Sequence, residues 1–144
     1  MSTKHPAQAL AKPSTPFGRV AWVGLLMVLG AVMLNTLIAE GTKALFSIAP
    51  TFQPLQPEDF IPATVLGVVG ALIVFALLAR WTPQPSRLFQ RIVVVALPVS
   101  LLPALLLPFI RLFPGTTFPG VGALVLMHTA TALICLGTLS RVNS

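Results

Sequence analysis

His128, Thr131, Cys135 and Thr138 lie in an otherwise apolar stretch near the C-terminus, spaced three, four and three residues apart. In an α-helix that spacing puts all four on one face. An imidazole set beside hydroxyls and a thiol could serve as a proton relay or a ligand-binding group. The alternative is a packing face. Small and hydroxyl side chains then let helices approach closely, and His128 bonds across to a neighbouring helix. A threonine also bonds its own i−4 carbonyl and needs no other partner. The packing alternative is preferred, and in either case the stripe is expected to face a bundle interior, because such groups are costly against lipid.

Asn35 and Thr36 are the polar pair of a second apolar stretch. Asn35 falls about 6 Å nearer the end of its segment than His128 does, at 1.5 Å per helical residue. A direct pair with His128 therefore needs a shift of about one turn, and a simple interhelical contact is favoured for Asn35. A third stretch holds Pro98, Pro103 and Pro108. Each proline lacks the N–H that would bond the carbonyl four residues back, which frees those of Val94, Val99 and Ala104. The functional reading is a bent helix lining a polar cavity, and the simpler one is a static kink satisfied by Ser100 or by neighbouring helices. Glu40, Glu58 and Asp59 are all the acidic residues of the chain. Their spacing matches no calcium loop, so a solvated loop is expected.

Enzyme chemistry is not the expectation for these residues. There is no paired-carboxylate, Ser/His/Asp or His-rich arrangement, and the histidines are only His5 and His128. The single Cys135 excludes a disulfide framework and a multi-cysteine metal site. No catalytic residue, cofactor or metal is expected.

The elements that must position these residues are four long apolar segments, at about 20–39, 61–79, 92–110 and 119–140. The last three contain no charge. About 20 apolar residues in a helix cross the ~30 Å core of a bilayer. Lipid supplies no partner for a bare backbone, so each crossing is helical. The chain is 56% hydrophobic and only 8% charged, with mean hydropathy +0.92. Soluble domains carry about 25% charge, so a soluble four-helix domain would lack the polar side chains to cover its core. The net charge of +6 does not indicate nucleic acid, because the basic residues are scattered at segment ends. The expected architecture is an all-α membrane four-helix bundle, residues 19–144, behind a mobile tail, residues 1–18.

Orientation follows from the basic residues. Lys4, Lys12, Arg19, Arg80, Arg87, Arg91 and Arg141 fall on one side, and Lys43 and Arg111 on the other. The positive-inside rule then puts both termini in the cytoplasm. Trp22 and Trp81 would mark the inner interface, and Phe46, Phe52, Phe60, Phe109, Phe113 and Phe118 the outer one. The first segment is read as an uncleaved span, since no small-x-small site follows it. The one long loop, Gly41–Phe60, is broken by Pro50, Pro54 and Pro57 and is expected to lie on the membrane or cap the bundle, with a short interfacial helix at Thr42–Ile48. The short proline-stiffened turn after Trp81 makes spans two and three antiparallel neighbours. Ala63, Gly67 and Ala71 give span two a small-residue ridge for close packing, inside the chain or outside it.

Three stretches resemble a family of uncharacterised four-span bacterial membrane proteins. They are Val32-Met33-Leu34-Asn35, the run from Ala79-Arg80 through Arg87-Leu88-Phe89 to Ser100, and Leu126-Met127-His128-Thr129-Ala130. The resemblance implies a bacterial inner-membrane location and a four-helix bundle, and brings no activity. The expectation is a structural or accessory subunit or a small homo-oligomer, in contact with the lipid bilayer and with a membrane-protein partner or itself. The alternative is a small transporter or channel-like protein with a polar intramembrane site at His128, Asn35, Thr131 and Cys135 and the kinked third span, and a membrane-embedded enzyme ranks third.

Overall fold

A computed structural model of the chain describes residues 16–110 and 112–142. Residues 1–15 of the expected tail lie outside the described residues, and so does Arg111; residues 16–18 already belong to the first helix. The four helices are α1 (Pro16–Phe46), α2 (Pro57–Trp81), α3 (Pro85–Ile110) and α4 (Phe118–Val142). Each contains a stretch long and apolar enough to cross a membrane. α1 packs on α2 and α4, and α3 packs on α4, while α2 also touches α3 and α4. The loops 47–56 and 112–117 share one end of the bundle, here the cap end. The 82–84 turn lies at the opposite end.

The helix boundaries have local causes. α1 runs past Ala39 because Glu40 and Lys43 form an ion pair at 2.8 Å on its surface and the Thr42 hydroxyl donates to the Ile38 carbonyl at 2.7 Å. The expected separate helix at Thr42–Ile48 is therefore the last turn of α1, which stops where Ser47 takes a left-handed φ of 47°. α2 starts at Pro57, whose missing N–H and fixed φ suit a first helical position, with Glu58 and Asp59 beside the positive end of the helix dipole. α3 runs unbroken through Pro98, Pro103 and Pro108. Thr117 caps α4, accepting the Gly120 N–H on its hydroxyl at 3.2 Å.

Loop 47–56 closes the cap end. Its one-turn 3-10 helix, Gln53–Leu55, is preceded by Phe52, and both Phe52 and Leu55 are completely buried. Phe52 lies against the start of α4 so closely that a Cβ on Gly120 would sit 2.8 Å from its ring. Of the expected interfacial aromatics, Phe46, Phe109 and Phe118 are exposed, and so are Trp22 and Trp81, but Phe52 and Phe60 belong to the core. One apolar cluster joins Phe52, Leu55 and Phe60 to Ala39, Ala104, Leu107 and Met127. A second, toward the other end, joins Met27, Ala31, Val68, Phe75, Phe89, Cys135 and Leu139. Phe75 and Phe89 meet edge to face at 5.5 Å between α2 and α3. Of the small-residue ridge of α2, Ala71 packs against the second cluster, whereas a Cβ on Gly67 would meet nothing within 4 Å among the described residues.

Candidate functional site

Between the two apolar clusters lies one polar junction. Asn35 on α1, only 2% exposed, donates from its amide nitrogen to the Thr64 hydroxyl on α2 at 2.9 Å and to the Thr131 hydroxyl on α4 at 3.0 Å. Both amide hydrogens are thus used. The Thr64 hydroxyl in turn donates to the Phe60 carbonyl at 2.7 Å, the i−4 bond expected of a threonine in an apolar helix. A single side chain ties three helices together at mid-span. Such a bond is worth on average about 0.6 kcal/mol in a membrane protein, because the separated helices also find partners.

The junction is not fully satisfied. Asn35 Oδ1 is buried and has no hydrogen-bond partner. Reversing the amide would put Oδ1 between the two hydroxyls and leave both hydrogens of Nδ2 without acceptors, so the orientation described is the better satisfied one. The unmet acceptor offsets part of what the junction contributes.

His128 stands apart from this junction. Its Nδ1 bonds the Leu124 carbonyl of its own helix at 2.9 Å, and the residue is exposed on the outside of the bundle. Asn35 meets Thr131, and His128, the partner weighed for it, does not join them. Cys135 is buried one turn further on, in the second apolar cluster. Thr131 and Cys135 face inward, whereas His128, only about 20° from Cys135 around the helix, is exposed. Thr36 and Thr129 each bond an i−4 carbonyl.

Ser100 is exposed on α3 and donates to the Leu97 carbonyl at 2.8 Å. Pro98 and Pro103 are exposed beside it, and Pro108 is half-buried. Pro108 lines an open cleft of about 450 Å³ at the cap end, together with residues 113–118. Among the described residues no group of three or more His, Cys, Asp and Glu side chains could hold a metal ion.

The comparison that decides the lineage covers this whole arrangement. A family model described as "Family of unknown function (DUF6069)" matches residues 15–144, which takes in all four helices, the cap loop and the junction. The chain belongs to that family. DUF6069 carries no described activity, so membership fixes kinship and leaves the chemistry to the residues. No curated protein and no solved structure matches the chain.

Thr64 is the junction residue that sequence reasoning missed. It is a lone threonine in an apolar run, with no periodic partner on its own helix. Only its adjacency to Asn35 across the bundle gives it a role.

Proposed function

We propose that this DUF6069 protein is a non-enzymatic, multi-pass protein of the bacterial inner membrane that works as part of an assembly, as an accessory subunit or a small homo-oligomer. Both termini lie in the cytoplasm, and the cap end faces outward. The observation that carries the assembly is His128, an exposed imidazole ten residues inside the cap end of α4, about 15 Å along the helix axis. A polar side chain at that depth is costly against hydrocarbon and is relieved by a protein surface. The interior supports the same reading, since its central polar residue, Asn35, is engaged in joining helices.

The test is purification in a gentle detergent with mass determination. An assembly gives a particle heavier than one chain and its micelle. A bare monomer that keeps its helical content would refute the proposal.

One observation favours a second reading, a small transporter or channel. The unpaired Asn35 Oδ1 is a buried acceptor that could receive a passing proton donor. That reading requires a flux into liposomes that disappears in Asn35→Leu.

A further inference from the structure

We propose that His128 and Ser100 form a reciprocal contact between two copies of this chain, with each Ser100 hydroxyl donating to His128 Nε2 of the other copy. This rests on the reading that the protein works as an assembly, and it names the occupant of the exposed imidazole.

The chemistry of the ring sets the first condition. The Leu124 carbonyl can only accept, so in the neutral ring Nδ1 carries the proton of the 2.9 Å bond. Nε2 is then a bare lone pair. Among the described residues it has no partner. Hydrocarbon offers no donor, and an unmet acceptor there is costly. The occupant must therefore bring a hydrogen-bond donor to mid-span.

Symmetry sets the second condition. Two copies inserted in the same direction are related by an axis along the membrane normal, so a residue meets only residues at its own depth. His128 cannot serve His128, because two lone pairs face each other. Outside the first two and last two turns of each helix, Ser100 is the one other exposed residue with a polar side chain among the described residues. It lies ten residues before the cap end of α3, and His128 lies ten residues after the cap end of α4. The two are at matching depth on helices that pack against each other. In a two-fold pair the contact is reciprocal, so one donor and one acceptor per chain make two bonds.

Ser100 can change partners without leaving a group unmet. Its hydroxyl now donates to the Leu97 carbonyl, which has a regular helical partner in the Leu101 N–H. Next to it, α3 presents Val94, Val95, Val99 and Leu102 outward, and its span is only 11% buried, the lowest of the four. That apolar flank supplies packing on either side of the two bonds.

The test uses two differently tagged chains expressed together, both carrying Cys135→Ser. One carries Ser100→Cys and the other His128→Cys. A short membrane-permeant bifunctional methanethiosulfonate is applied to intact membranes. The expected product is a cross-linked dimer bearing both tags, with none when Leu66→Cys, on the outward face of α2, replaces Ser100→Cys. Separately, His128→Leu with the native Cys135 should raise the dissociation constant of the dimer about tenfold, from the loss of two bonds of ordinary membrane strength. Equal cross-linking through Leu66→Cys, or an unchanged dissociation constant in His128→Leu, overturns the proposal. A single chain bound to a foreign subunit overturns it while leaving the assembly reading intact. A bare monomer, or one carrying only a bound lipid, overturns both.

Discussion

Replacing Thr64 by Val should destabilise the protein more than replacing the asparagine that binds it. The junction contains two donated bonds and one orphan acceptor, Asn35 Oδ1. Asn35→Leu removes both bonds, about 0.6 kcal/mol each in a membrane protein, so it loses roughly 1.2 kcal/mol. It also removes the buried unmet oxygen, whose penalty is about 1–3 kcal/mol. Leu keeps the branching but is bulkier, and overpacking a closely packed site takes back about 1–3 kcal/mol, so the net effect is near zero or mildly destabilising. Thr64→Val keeps the shape but strands one amide hydrogen beside the oxygen already stranded. It loses about 0.6 kcal/mol of bonding and adds about 1–2 kcal/mol of desolvated donor. The double variant should return to the level of Asn35→Leu, giving a coupling energy of at least about 1 kcal/mol in the cycle. Reversible unfolding in mixed micelles, followed by helical circular dichroism, measures all four proteins. Asn35→Leu costing more than about 3 kcal/mol while Thr64→Val is neutral would refute the reasoning, since the amide would then be held by something other than these hydroxyls.

Three further outcomes are expected. On a Cys135→Ser background, an impermeant thiol reagent added outside should label Gln56→Cys and not Gln84→Cys, and the reverse pattern would invert the proposed orientation. Gly120→Ala sets a methyl 2.8 Å from the Phe52 ring, which should cost about 1–3 kcal/mol of stability in detergent, partly recovered when Phe52→Leu makes room. Pro103→Ala should restore the backbone bond to the Val99 carbonyl and leave a protein that is folded and at least as heat-stable as the original; loss of helical content on heating at a lower temperature would show that the proline shapes the packing.

The four spans are legible in the sequence because an uninterrupted apolar run of about 20 residues matches the thickness of a bilayer and little else in a protein. Their ends are less so. Hydropathy stops α1 at Glu40, yet the helix continues to Phe46, because Glu40 and Lys43 neutralise each other on its surface. Pro57 reads as part of a broken loop, whereas a proline in the first turn starts a helix as readily as it ends one. In the junction, only Asn35 is legible as an interhelical contact; its partner Thr131 lies too deep by the hydropathy boundaries, which end α1 seven residues short of Phe46. Thr64 is not legible, since one hydroxyl in an apolar run looks the same whether it serves its own helix or another. The exposure of His128 is also hidden. A helical stripe gives the relative angles of its members, but where the stripe points depends on the neighbouring helices.

The burial of Phe52 beside Gly120 has a consequence for biogenesis. The two residues belong to the first loop and the last helix, so while only the first two spans have been made the loop can meet α2 but not the start of α4. Chains fold from the N-terminus as they are synthesised. Phe52 therefore lacks its cover from α4 until that helix has been threaded and its first turn has formed. Closure of this end is a late event gated by completion of the chain. A nascent protein halted after α3 would carry an unseated aromatic plug, a mark by which quality-control proteases could distinguish an unfinished copy from a finished one.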